Sequence, residues 1–240
     1  MQPPLDILAF AAHPDDVEIS AGGTLYKSTS MGQRVGIIDL TQGELGSRGS
    51  AALRREEAAN ASRVLGITAR ENLCLRDGFF THDEDSLRAV IMMIRKYRPQ
   101  VVLCNSPTDR HPDHGRAAKL VAEACYYSGL TKIETHEAEE KQHPWRPKAV
   151  YQYIQDYFLK PHFVIDVSEC WQKKIEALKC YGSQFFDPYT TEPATPISGE
   201  DFFDFLKGRA LTMGRPAGYH LAEGFITLRY AGVPHLLAMQ

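Results

Sequence analysis

The stretch LDILAFAAHPDDVE, residues 5–18, sets a short apolar run, Leu5–Ala11, directly against a cluster of ionisable side chains. An apolar run of that length, stopped by a proline-stiffened polar turn, reads as a strand buried on both faces, the kind that parallel sheets contain. Val35–Leu40 and Val101–Cys104 read the same way, with Asn72–Leu75 as a weaker counterpart. Helical patterns lie between them near 22–31, 51–65, 84–97 and 114–127, the second opened by a capping Ser50 and closed by Gly66. Strand–helix alternation predicts an α/β, Rossmann-like open, mostly parallel sheet with helices on both faces.

Beyond residue 130 the pattern loosens. Glu134–Pro147 is polar and reads as a surface excursion, Ala149–Ile154 and Phe163–Val167 as strands, and Ser168–Tyr181 as a helix capped by Ser168. Phe186–Gly199 carries Pro188, Pro193 and Pro196 and reads as a loop, a lid or an assembly contact. A helix near 200–213 and a strand near 224–230 complete one expected domain over residues 1–240.

Two loops carry chemistry. His13-Pro14-Asp15-Asp16 follows the first strand, and Asp109-Arg110-His111-Pro112-Asp113-His114 follows the fourth. In a 3-2-1-4-5 sheet those strands flank the switch point, so the loops meet at the carboxyl ends of strands 1 and 4. His13 and Asp16 converge across their turn while Asp15 must point elsewhere. Two histidines and one aspartate with a vacant position form the donor set of a catalytic zinc site, although nickel, cobalt or iron suits the same donors. Alone, HPDD would serve equally well as a helix cap and HPDH as a polar turn. His82, His136, His143 and His162 sit in polar or proline-flanked segments and read as solvated.

Bulk properties narrow the partners. A formal charge of −3 and no basic stripe exclude nucleic acid and an acidic membrane surface as expected partners. The 5 scattered cysteines form no C-x-x-C pair and fit reduced thiols. No signal peptide and no apolar run of spanning length is visible, so a soluble, cytoplasmic protein is expected.

LAFAAHPDDVE, Gly22-Gly23-Thr24, LRREEA at 53–58, DRHPDH, YGSQF at 181–185 and AEGF at 222–225 together resemble the LmbE/PIG-L deacetylase family. The likeness is strongest to its bacillithiol-pathway N-acetylglucosaminyl-malate deacetylases. It implies zinc-dependent removal of an acetyl group from an N-acetylglucosamine derivative, with His13, Asp16 and His114 as zinc ligands. It also implies Asp15 as general base, His111 as oxyanion stabiliser and Asp113 as the residue orienting it. Relatives of this kind imply a homo-oligomer, a hexamer built from trimers.

On that mechanism a cationic His111, favoured by the charge of Asp113, holds the oxyanion, and Asp15 or His111 protonates the departing amine. Arg54 and Arg110 are candidates for gripping a carboxylate or sugar hydroxyls, the guanidinium fork suiting a malate-like carboxylate, and Arg48 in GELGSRGS, which follows a strand, is a candidate for reaching the crevice. For Arg54 a surface ion pair with neighbouring glutamates is the plain alternative; for Arg48 it is solvation. Two other functions compete. A metal-dependent phosphoesterase would want a second ion. A non-enzymatic Rossmann-like nucleotide module would want a G-x-G-x-x-G turn, absent after the first strand.

Overall fold

The computed structural model describes residues 3–185, 189–230 and 232–235. Strand β1, Ile7–Ala11, places Leu8 and Phe10 on one face and Ala9 and Ala11 on the other, as the two-residue period of a strand requires. Strand β2, Val35–Thr41, is buried along its whole length. Helix α1, Asp16–Ser30, packs Val17, Ala21 and Leu25 against the alanine face. On the opposite face helices α3, Glu84–Tyr97, and α4, Pro112–Tyr127, bring Val90, Ile91, Ile94, Leu120 and Val121 onto Leu8 and Phe10.

Helix α2 spans Ala51–Leu65, strand β3 Ala69–Leu75 and strand β4 Val101–Cys104. A small exposed antiparallel pair, β5 (His136–Glu137) and β6 (Glu140–Lys141), occupies the expected surface excursion. Strands β7 (Ala149–Tyr153) and β8 (Phe163–Asp166), helices α5 (Trp171–Lys179) and α6 (Phe202–Gly214), and strand β9 (Ala222–Thr227) follow. The sheet order is β3-β2-β1-β4-β7-β9-β8. Its first five strands are parallel, and β9 runs antiparallel to both neighbours. The switch point between β1 and β4 lies where the sequence places it.

Four local readings change. Helix α1 begins at Asp16, not near 22, so the acidic turn is its first turn. Gly22-Gly23 conceals this, because glycine weakens a helical pattern; Gly23 is needed since a Cβ there would stand 2.8 Å from the Cβ of Val167. Strand β3 starts at Ala69 because Arg70 buries its charge among acids instead of facing water. Ser168 caps no helix: a 3-10 turn, Ser168–Cys170, precedes α5, and the Ser168 hydroxyl donates to Asp166 Oδ1 at 2.6 Å. The last strand ends at Thr227. Residues 186–188 of the proline-rich loop lie outside the described residues, and 189–199 form neither helix nor strand. Among the described residues no helix is long and apolar enough to cross a membrane.

The quoted motifs fold onto one another in pairs. Glu57 of LRREEA accepts from the Ser183 amide and hydroxyl of YGSQF at 2.7 and 2.8 Å. Glu223 of AEGF accepts from the Gly23 and Thr24 amides, the Thr24 hydroxyl and Lys174 Nζ. Glu18, closing the first motif, meets Arg70 at 2.5 Å and the Tyr181 hydroxyl at 2.9 Å. These locks fix α1, α2 and α5 over the sheet and hold the loop at 13–16 in place.

Candidate active site

Loops at the carboxyl ends of β1 and β4 bring His13, Asp16, His111 and His114 together. The ring centres of His13 lie 4.6 Å from His111 and 5.6 Å from His114, with His111 and His114 5.3 Å apart. Asp16 Oδ2 is 3.5 Å from His13 Nδ1, and Asp16 Oδ1 is 3.2 Å from His114 Nε2. Donors bound about 2.0–2.1 Å from one tetrahedral ion stand roughly 3.3 Å apart; each histidine nitrogen stands about that far from Asp16, through a different carboxylate oxygen. The far ring nitrogens are already engaged: His13 Nε2 with Asp77 Oδ1 at 3.0 Å and His114 Nδ1 with Asp109 Oδ2 at 2.7 Å. Carboxylates behind ligating imidazoles set the tautomer that leaves the inner nitrogen bare.

Charge tells the same story. Asp16, Asp77, Asp109 and Asp113 surround two buried imidazoles. Burial lowers the His114 pKa, but Asp16 and then Asp109 outweigh it and lift it to about 9. Burial would raise Asp16, yet His114 and His13 hold it well below the carboxylate range. A surplus of negative charge around inward-facing donors suits a cation. Two trios among the described residues place ligand atoms within 4.8 Å of one another: His13–His111–His114 and His13–Asp77–Asp113. In the second, backbone amides already hold the acids, Leu45 donating to Asp77 and Gly78 to Asp113, which makes them supports of His13.

Asp15 sits at the N-cap of α1 with φ 115°, a strained left-handed conformation, and caps nothing with its side chain. Its carboxylate accepts from Arg54 Nη2 at 2.7 Å, and the same nitrogen donates to the Pro14 carbonyl at 2.6 Å. Burial pushes the Asp15 pKa up, against the pull of Arg54, to about 7. Arg54 is therefore neither at the surface nor paired with its helix neighbours: it is buried and braces Asp15. Arg110 turns outward to Asp156 Oδ2 at 2.5 Å. Arg48 is buried behind the loop at 189–199.

His111 is half-buried, and burial, then the nearby imidazoles His13 and His114, lower its pKa. A cationic resting His111 is thus disfavoured. The Asp113 carboxylate, expected to orient His111, instead binds the Gly78 amide and Arg116 and stands 3.5 Å from His13 Nε2. At the N-cap of α4 the backbone N–H of residue 113 donates to His111 Nδ1 at 3.3 Å, which leaves Nε2 as the N–H of the neutral ring.

Sequence reading assigned no role to Asp77, Asp109, Asn105 and Gln155. Asn105 Nδ2 donates to Asp16 Oδ2 at 3.0 Å and Gln155 Nε2 to Asp16 Oδ1 at 2.6 Å. Asp77, Asn105 and Gln155 each follow the carboxyl end of a parallel strand, the one signal that could have marked them.

The switch point of an open α/β sheet thus carries a His–Asp–His cluster suited to a metal cation, with a carboxylate of raised pKa beside it. The family described as PIG-L, GlcNAc-PI de-N-acetylase, matches residues 8–125, and the chain belongs to it. It is 30% identical over 91% of its length to 81% of the diacetylchitobiose deacetylase of Thermococcus kodakarensis. It is 28% identical over 76% of its length to 75% of a 4-oxalmesaconate hydratase from Pseudomonas putida. A probable N-acetyl-alpha-D-glucosaminyl L-malate deacetylase 2 from Bacillus anthracis shares 29% identity, over 75% of this chain and 81% of that one. The crystal structure of the conserved protein TT1542 from Thermus thermophilus superposes with a TM-score of 0.84 at 32% identity, covering 96% of this chain and 98% of that one.

Proposed function

We propose that the chain removes the acetyl group of an N-acetylglucosamine derivative, with zinc held by His13 Nδ1, Asp16 and His114 Nε2. The observation that supports this most is that both inner imidazole nitrogens face Asp16 while their outer nitrogens rest on Asp77 and Asp109. The ion supplies Lewis acidity, polarising the amide carbonyl and making water nucleophilic near neutral pH. Asp15 lies beside the ligands without joining them, and its raised pKa suits a base that takes the water proton. Arg54 fixes its carboxylate so that one oxygen stays available. His111 donates from Nε2 to the oxyanion as a neutral imidazole; removing such a donor costs about a hundredfold or more. Asp15 then returns its proton to the departing amine, which leaves acetate and the free amino sugar.

The finer proposal is N-acetylglucosaminyl malate of bacillithiol biosynthesis as substrate, handled by one domain over 1–240 that assembles as a cytoplasmic homo-oligomer, a hexamer. Similarity to the malate-deacetylase relative supports the substrate; the similarity to the diacetylchitobiose deacetylase supports a neutral glycan. Acetate release from both compounds, with chelator and with zinc restored, tests the reading. No acetate from either, with metal bound, would sink it and turn attention to water addition of the kind named for the Pseudomonas relative. Light scattering reads the assembly state.

A further inference from the structure

Arg48 is 3% exposed, yet its guanidinium is poorly matched. Nη1 stands 3.5 Å from the Gln184 carbonyl, and among the described residues Nε and Nη2 have no hydrogen-bond partner. A permanently charged group with five N–H donors is costly to bury in that state. The carboxylate beside it belongs to Glu192, whose Oε2 is 3.6 Å from Nε and whose Oε1 accepts from the Gly49 amide at 2.8 Å. Gly49 has φ 68°, and a Cβ there would stand 2.7 Å from Ser183 Oγ, so only glycine presents its amide in this way. Ser50 caps α2 immediately afterwards, which adds the positive end of a 15-residue helix. Glu192 is held by little else here: its side chain is 40% exposed.

We propose that Arg48, the Gly49 amide and the start of α2 form a carboxylate-binding site that receives the anionic aglycone of the substrate, with Glu192 as the internal carboxylate it displaces. The inference rests on the deacetylase reading and deepens its malate-bearing form by naming the residues that take the charged end. Place and chemistry agree. Arg54, which braces Asp15, stands four residues beyond Ser50 on α2, about 6 Å of helix rise. The acetamide and the charged end of one amino-sugar conjugate thus meet successive parts of a single helix. Of the three arginines expected at the substrate, Arg110 is spent on Asp156 and Arg54 holds Asp15 and the Pro14 carbonyl through Nη2, leaving only its Nε unmatched, whereas among the described residues Arg48 leaves both Nε and Nη2 unmatched.

The test is a ratio: kcat/KM for N-acetylglucosaminyl malate over kcat/KM for diacetylchitobiose, in the zinc-loaded enzyme. Arg48→Lys, which keeps the charge and loses the planar fork, lowers the ratio tenfold or more, mainly through KM for the malate compound. Glu192→Gln, at an exposed position, raises it severalfold by removing the competing charge. Calorimetric titration with free L-malate must give the same order, Glu192→Gln tightest and Arg48→Lys weakest; it needs no turnover, and any binding of malate to zinc is common to all three proteins. Substitutions that merely damage the fold move both substrates together. An unchanged ratio in both variants, or equal malate affinity in all three proteins, overturns the site, whereas absence of acetate release overturns the deacetylase reading instead.

Discussion

Helix α1 meets buried charge twice. At its first turn, Asp16 faces two imidazoles whose inner nitrogens lie 3.2 and 3.5 Å away, closer to an ion's coordination sphere than to good hydrogen bonds. Two turns later, Gly23 and Thr24 meet Glu223, whose two oxygens take four hydrogen bonds of 2.6–3.0 Å, one from the equally buried Lys174. The second cluster is closed: each charge has its complement within the protein. The first is open, with negative charge in excess and both inner imidazole nitrogens turned to Asp16. Burial of charge alone does not mark a functional site; incompleteness does.

That contrast is breakable by experiment. Chelation, or His114→Ala, removes acetate release altogether and lowers bound zinc, while the metal-free protein loses far less stability than any break in the closed cluster causes; colorimetric zinc counting beside urea melts reads both. Asp15→Asn lowers kcat by roughly 10²–10⁴ and keeps the metal; zinc lost along with turnover would show that Asp15 belongs to the ligand set. Glu223→Ala strands Lys174 in the interior and costs about 3–5 kcal/mol in urea unfolding. If the variant loses metal affinity with no change in the urea midpoint, the two clusters are one. Asp77→Asn weakens zinc binding about ten- to a hundredfold by loosening His13, measured against a competing chelator. Arg110→Ala is the smallest: its exposed pair with Asp156 contributes less than about 1 kcal/mol, and a larger drop in the melt would give it a buried role.

The open cluster was largely legible in the sequence because HPDD and HPDH each concentrate donors within a few residues, and each follows a readable strand. Its supports were not. Asp77, Asn105 and Gln155 are single residues on separate loops, and only the order β3-β2-β1-β4-β7 brings those loop ends together. The arginines misled for a related reason: a charged residue on a helix reads as solvated, and nothing local says that Arg54 turns inward to Asp15 or that Arg70 buries itself between Asp39 and Glu18. The parallel half of the sheet followed from strand–helix alternation. The placement of β9 between β7 and β8 did not, since antiparallel insertion leaves no periodic mark.

The closed cluster also sets an order of events during synthesis. Glu223 and Gly23 are 200 positions apart. At about 5–20 residues per second, a ribosome makes the acceptor roughly 10–40 seconds after the glycines it secures. Before that interval ends both metal-site loops, His13–Asp16 and Asp109–His114, already exist in the nascent chain, while the Gly23 and Thr24 amides of α1 still lack their acceptor. Lys174, made earlier than its partner, spends the last part of the wait as an uncompensated cation that favours water over the core. Arrival of the final strand therefore does more than widen the sheet: it supplies the long-range acceptor for the Gly23 and Thr24 amides and for Lys174, and chains halted before it would leave those buried donors unpaired.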